Sequence, residues 1–137
     1  MIRYTSDLAG IRADHLQGFF EGWINPPSPQ THLALLAHSD YVVLARDGEI
    51  GNVVGFVTAI GDGILSAYIP FLEVLPSSRG QGVGRELMRR MLERLGDFYM
   101  VDLLCDPELQ PFYARLGMSP ATGMMLRNYD RQSGRGL

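Results

Sequence analysis

Between a strand-like run and a helix-like run lies Val74-Leu-Pro-Ser-Ser-Arg79-Gly80-Gln81-Gly82-Val83-Gly84, where three glycines alternate with larger residues behind an arginine. Glycine lets a backbone approach a ligand because no Cβ blocks it. The free N–H groups of the helix's first turn, with the helix dipole, then favour a phosphate or pyrophosphate, and Arg79 adds a fixed positive charge beside it. A plain strand-to-helix turn also uses glycine, but not three in alternation beside an arginine. Two nucleotide readings fail on spacing. A P-loop needs a lysine after its last glycine, and Gly84 is followed by Arg85-Glu86. A dinucleotide turn needs G-x-G-x-x-G, and here the glycines are evenly spaced. Asp102 and Asp106 lie where a ribose-binding acid would sit. The roughly 50 residues that remain cannot build the rest of a doubly wound sheet, whose βαβ units take roughly 30 residues each.

The hydrophobic period places this turn in a fold. Val83, Leu87, Met91 and Leu95 recur every four residues beside Met88 and Leu92, which predicts a helix from about Gly82 to Leu95. Glu86 and Arg90 make a favourable i,i+4 pair on it. Upstream, Ile2–Thr5 reads as a strand, Ser6-Asp7 as the cap of a helix to about Trp23, and Asn25-Pro-Pro-Ser-Pro29 as a rigid loop. Thr31–His38 reads as a second helix. Tyr41–Ala45 and Val53–Ile60 read as a hairpin turned at Asp47-Gly48, and Ile64–Leu75 as a long strand interrupted by Pro70. Downstream, Phe98–Leu104 reads as a strand. Asp106-Pro107-Glu108 starts a helix with Leu109, Phe112, Tyr113 and Leu116 as its apolar stripe and Gly117 as its stop. Met124–Tyr129 reads as a last strand before a polar tail, 130–137. This β-α-α-β-β-β-α-β-α-β order predicts an α+β domain over 1–129: a twisted mixed sheet with helices on both faces.

Composition serves mainly to exclude. One domain suits 137 residues. A single cysteine, Cys105, permits no internal disulfide, and no apolar run reaches the roughly 20 residues of a membrane helix. The polar start carries Asp7, unlike a signal peptide, and a net charge of −3 offers nucleic acid no basic footprint. The expectation is a cytoplasmic protein without nucleic-acid or membrane partners. The histidines lack metal spacing, and no metal is expected.

At the glycine-rich turn the sequence resembles the GNAT acetyltransferase family. The family's pyrophosphate motif, Gln/Arg-x-x-Gly-x-Gly/Ala, is matched by Arg79-x-x-Gly82-x-Gly84. Leu72-Glu73-Val74 resembles the end of the family's fourth strand, whose backbone bonds the pantetheine arm. Phe112-Tyr113-Ala-Arg-Leu-Gly117-Met118 resembles its F-Y-x-x-x-G-F segment, whose tyrosine in many members reprotonates the CoA thiolate. Together the motifs span Ile64–Met118. The resemblance implies acetyl-CoA as co-substrate, lying in a split between the fourth and fifth strands. It implies a cofactor set of Leu72, Val74, Arg79, Gly80, Gln81, Gly82, Val83, Gly84, Asp106 and Tyr113. Two departures stand out: Tyr68 occupies the place of a frequent catalytic glutamate, and Asp106 that of a frequent asparagine.

Acyl transfer to an amine needs a neutral nucleophile and a proton for the leaving thiolate. Tyr113 is the candidate donor, against a packed core tyrosine. Glu73 is the candidate base, against a solvated or salt-bridged carboxylate; simple alternation would put it opposite Tyr68, and a bulge at Pro70 would reset that. Asp102 is a second candidate base. Cys105 reads as small buried apolar filler, and His15, His32 and His38 as surface or helix-packing residues. Phe19, Phe20 and Trp23 suit either an acceptor pocket or an ordinary aromatic core. The expected activity is acetyl transfer to a primary amine of a small molecule or peptide in a ternary complex, with a homodimer left open. The alternative from another class is a non-catalytic acyl-CoA-binding sensor.

Overall fold

The computed structural model describes residues 1–48 and 51–135. Its strands are β1 (Ile2–Thr5), β2 (Tyr41–Asp47), β3 (Val53–Gly61), β4 (Ser66–Val74) and β5 (Met100–Asp102); its helices are α1 (Pro29–His38), α2 (Val83–Arg94) and α3 (Gln110–Ala114). Among the described residues the strands form one sheet in sequence order. β1 to β4 pair antiparallel, and β4–β5 alone is parallel, with α2 as the crossover. The mixed α+β sheet is therefore as expected, because short hairpins can only join antiparallel neighbours and a crossover is needed for a parallel one.

Side chains alternate between two cores. Val43, Ala45, Val57 and Ala59 meet Val83, Leu87, Met88, Met91 and Leu95 of the α2 side, with Phe112, Tyr113 and Leu116 packed at its edge. Val42, Leu44, Val53 and Phe56 face the other way, against Leu36 of α1 and the irregular chain of Ile11, Leu16, Phe19 and Phe20. Every residue from Val42 to Ala45 is buried, so β2 reads as a continuous apolar run instead of an alternating one. The stripe predicted for α2 is thus the one that packs, and Glu86 meets Arg90 at 2.6 Å on its open face.

Four expectations are corrected. The helix from Ser6 to Trp23 does not form; a 3-10 turn at Ala13–His15 is its only helical piece. Gly10, Gly18 and Gly22 take positive φ there, as does Phe20 at +63°, and each such residue breaks a right-handed helix. The Asp47-Gly48 turn is not a two-residue hairpin, since β3 begins only at Val53, and residues 49 and 50 lie outside the described residues. β5 is shorter than Phe98–Leu104. Met124–Tyr129 is not a strand, and its side chains stand in solvent. The tail is described to residue 135, where a 3-10 turn spans Tyr129–Arg131.

Candidate active site

The site is prepared by an irregularity in β4. Thr58 faces Phe71 and Ile60 faces Tyr68, so β4 carries one residue more than β3 at Ile69-Pro70. Proline has no N–H for the ladder and settles at such a bulge. Before the bulge Ala67 and Ile69 point to the α2 core, and after it Leu72 and Val74 do. Phe71 faces the opposite core. Alternation then puts Tyr68, Phe71 and Glu73 on one face, where an unbroken strand would have separated them.

β5 pairs with β4 only at Ser66–Tyr68, and Tyr68 meets Asp102 at the last register pair. Beyond this fork the two strands part, and β4 from Ile69 to Val74 has no β5 partner. The expected split is present where the sequence put it.

Above the split stands the first turn of α2. Its N-cap, Gly82, is left-handed at φ +80°, and no side chain caps the turn. The first N–H groups of α2 are therefore free to meet an anion. Gly80 is left-handed too, and a Cβ at either glycine would meet nothing within 4 Å. Packing therefore does not forbid a side chain at either glycine; the left-handed backbone does. At Gly84 a Cβ would touch Val74 and Phe112 at ordinary contact distance. Val83, buried at the same turn, anchors the helix to the sheet, while Gln81 is exposed.

Arg79 is tethered beside this turn by two exposed contacts. Its Nε donates to the Val74 carbonyl at 3.0 Å, and its Nη2 meets Glu21 Oε2 at 2.7 Å. Glu73 is equally committed: Oε1 accepts the Phe20 N–H at 2.9 Å and Oε2 the Glu21 N–H at 3.2 Å. Two carboxylates and one guanidinium therefore tie the left-handed Phe20 turn to the glycine loop. This network could not be read from the sequence, because its bonds close across more than 50 residues. Above it Phe20, Trp23 and Phe71 form an aromatic cluster, with Trp23 and Phe71 6.3 Å apart and Trp23 partly exposed. Phe19 belongs to the core proper, edge-on to Phe56 at 5.2 Å.

Tyr113 sits on α3, half-buried and edge-on to Phe112 at 4.9 Å. Burial, and then the neighbouring Cys105 thiol, push its hydroxyl above the usual tyrosine range, which keeps it a neutral donor at neutral pH. Cys105 itself is half-buried and free, not fully enclosed as expected. Asp106 precedes the turn into α3, where its carbonyl, not its carboxylate, accepts the Leu109 N–H at 2.9 Å. His32, expected at a surface or helix contact, is buried among Phe19, Phe20 and Phe56. Among the described residues no His, Cys, Asp and Glu group is arranged to hold a metal, and no helix is long and apolar enough to cross a membrane.

A forked sheet with an uncapped glycine cradle at its open end is the architecture of an acyltransferase that takes its acyl group from coenzyme A. The model of the Acetyltransferase (GNAT) family matches residues 8–118. A crystal structure of a candidate acetyltransferase from Deinococcus radiodurans R1 is 51% identical, with a TM-score of 0.95 over 99% of this chain and 94% of its own. The N-acetyltransferase ycf52 of Porphyra purpurea, itself uncharacterised, is 26% identical over 120 residues, 83% of this chain and 68% of that protein. Serotonin N-acetyltransferase 2, chloroplastic, of Oryza sativa subsp. japonica is 33% identical over 88 residues, 61% of this chain and 44% of that one. This chain belongs to the GNAT acetyltransferase family. Members of that family use acetyl-CoA, and neither Gly80 nor Gly82 has a neighbouring atom within 4 Å of a Cβ position beside the uncapped first turn of α2.

Proposed function

We propose that the protein transfers an acetyl group from acetyl-CoA to a primary amine of a small molecule or peptide by direct attack in a ternary complex. The observation that carries the reading is the fork at Tyr68–Asp102, which opens toward the uncapped first turn of α2. The backbone of Gly80 to Gly84, Gln81 and Val83 included, would hold the pyrophosphate beside Arg79, and Leu72 and Val74 would line the pantetheine arm with Asp106 across the gap. Acetyl-CoA supplies a thioester, whose acyl carbon accepts a neutral amine and whose sulfur leaves as a thiolate.

Tyr113 serves as proton donor: its hydroxyl stays protonated because burial disfavours the phenolate. Glu73, the candidate base of the sequence, acts as a positioning group in this reading, since both of its oxygens already accept backbone N–H groups. The exposed edge of Trp23 with Phe71 suits an acceptor with an apolar body, in keeping with the serotonin activity named for the rice relative. The test is thiol release from acetyl-CoA with a panel of aromatic, aliphatic and peptide amines. Amine-dependent release, strongest for aromatic amines, is expected. Tight acetyl-CoA binding without amine-dependent release from any of the three classes would overturn the reading.

A further inference from the structure

Two energetic costs meet at one ring. Phe20 holds φ at +63°, and among the described residues no other residue with a side chain has a positive φ. A bulky side chain in that region is strained, and such strain persists only where the surroundings impose it. Here the Glu73 carboxylate imposes it, by accepting the N–H groups of Phe20 and Glu21. The second cost is 4.9 Å away, at the ring of His32. His32 is 1% exposed, and neither ring nitrogen has a hydrogen-bond partner among the described residues. Burial keeps the imidazole neutral, so it carries one N–H and one lone pair, both unused. A buried polar group left unpaired is expensive, and each one calls for an explanation. Thr58 adds a third such atom. It lies between Val57 and Ala59, which face α2, so its side chain points the other way, buried and without a partner.

The Phe20 ring fills a slot that is itself made of rings. Its centroid stands 4.9 Å from Trp23 and from His32, 6.0 Å from Phe71 and 6.1 Å from Phe56. Trp23 is 37% exposed and marks the mouth, and Phe71 belongs to the half of β4 that β5 leaves free. The turn that carries Phe20 has a left-handed glycine on each side, Gly18 and Gly22, where the backbone can swing. Withdrawing Phe20 would release its strain and uncover His32. A second aromatic ring in its place would restore the buried area that the withdrawal loses. Only a ring with a hydrogen-bonding substituent would also satisfy the imidazole.

We propose that Phe20 plugs a buried acceptor subsite, and that His32 at its base selects amines whose aromatic ring carries a hydroxyl. The inference rests on the amine-acetyltransferase reading above and narrows its acceptor. A phenolic hydroxyl both gives and takes a hydrogen bond, so it pairs with either tautomer of His32. An unsubstituted ring would occupy the slot and leave both nitrogens unpaired, and an aliphatic amine would leave the slot to Phe20. Exchanging one ring for another changes the buried apolar area little. The strain released at Phe20 and the hydrogen bond gained at His32 therefore decide the affinity.

Trp23 is the only tryptophan of the chain and stands against Phe20, so its fluorescence reports the slot without any acetyl transfer. The full chain is titrated with 4-hydroxyphenethylamine and with phenethylamine, which differ only in the hydroxyl. The hydroxylated amine should bind the wild type about tenfold more tightly. His32→Leu fills similar space without the nitrogens and should erase that difference with circular dichroism unchanged. Phe20→Gly accepts the left-handed backbone and opens the slot. It should bind the hydroxylated amine about threefold or more tighter than wild type, because no closed state competes. Equal affinities in the wild type, a difference that survives in His32→Leu, or a folded Phe20→Gly protein that gains no affinity would each overturn the proposal. So would Trp23 fluorescence that responds to neither amine. Discrimination without thiol release would leave the slot standing and remove the acetyl-transfer reading; thiol release at equal kcat/KM from both amines would do the reverse.

Discussion

Gly82 separates what the fold needs from what the ligand needs. Its φ of +80° is a left-handed value, which costs a residue with a Cβ about 1–2 kcal/mol. A Cβ there meets no atom within 4 Å, so no clash adds to that cost. Gly63, in the β3–β4 turn, has φ +77° and equally open space. Gly82→Ala and Gly63→Ala should therefore lower stability alike, by about 3–5 °C in Tm per kcal/mol for a domain of this size. Only at Gly82 would the methyl stand where the pyrophosphate has to approach. Acetyl-CoA affinity should fall at least tenfold, about 1.4 kcal/mol, for Gly82→Ala and remain at the wild-type value for Gly63→Ala. Gly82→Asp adds a negative charge near the phosphates. At about 4 Å from a unit charge that costs a further 1 kcal/mol or so in water and about 4 kcal/mol at a protein surface. Differential scanning calorimetry gives the stabilities and titration calorimetry the affinities. Folded Gly82→Ala and Gly82→Asp proteins that bind acetyl-CoA like wild type would refute the placement of the pyrophosphate.

Tyr113→Phe keeps the ring in its packing, so acetyl-CoA affinity should hold while kcat falls tenfold or more; equal turnover in steady-state kinetics would leave Tyr113 a packing residue. Because the donor is lost as pH rises through its raised pKa, the alkaline limb of wild-type kcat should lie above about pH 10. His32, pushed by burial from 6.5 down to about 4, resists protonation in the folded state but not in the unfolded one. The His32 contribution to stability should fall from about pH 6.5 to about 4 and then level off, losing about 3 kcal/mol in all; the difference in urea midpoint between wild type and His32→Leu should change across that window, and a constant difference would exonerate the imidazole. Glu73→Gln retains one acceptor oxygen and presents an amide N–H to the other donor, so limited proteolysis between Phe20 and Trp23 should quicken while acetyl-CoA affinity stays within about twofold. A hundredfold loss of kcat with unchanged proteolysis would instead make Glu73 the base.

Local chemistry made α2 and its glycine turn legible, because a four-residue apolar period and an alternation of glycines are both contained within a few residues. The bulge at Ile69-Pro70 was legible for the same reason, since proline announces its missing donor. The cap at Ser6-Asp7 promises a helix that the left-handed Gly10, Gly18, Phe20 and Gly22 interrupt. The role of Glu73 was out of reach, since its partners are backbone N–H groups of residues 20 and 21, and backbone donors leave no mark in a sequence. Met124–Tyr129 has the composition of a strand, but a strand also needs a partner, and among the described residues this segment pairs with none. Of the two roles the sequence left open for His32, helix packing is the one it takes, since α1 turns that position toward Phe19, Phe20 and Phe56.

The fork has a consequence for how the molecule breathes. β5 is joined to β4 by three register pairs, whereas six are resolved between β3 and β4. Cooperative units held by few ladder bonds open below the global free energy. In the ligand-free protein the amides from Phe98 to Met118 should exchange with solvent before those of β2 and β3. A cofactor that spans the gap touches both halves, so it adds stability to the boundary between them: about 2.7 kcal/mol at a hundred times its dissociation constant. Loading with acetyl-CoA would then convert a domain that melts from one side into one that melts as a single unit.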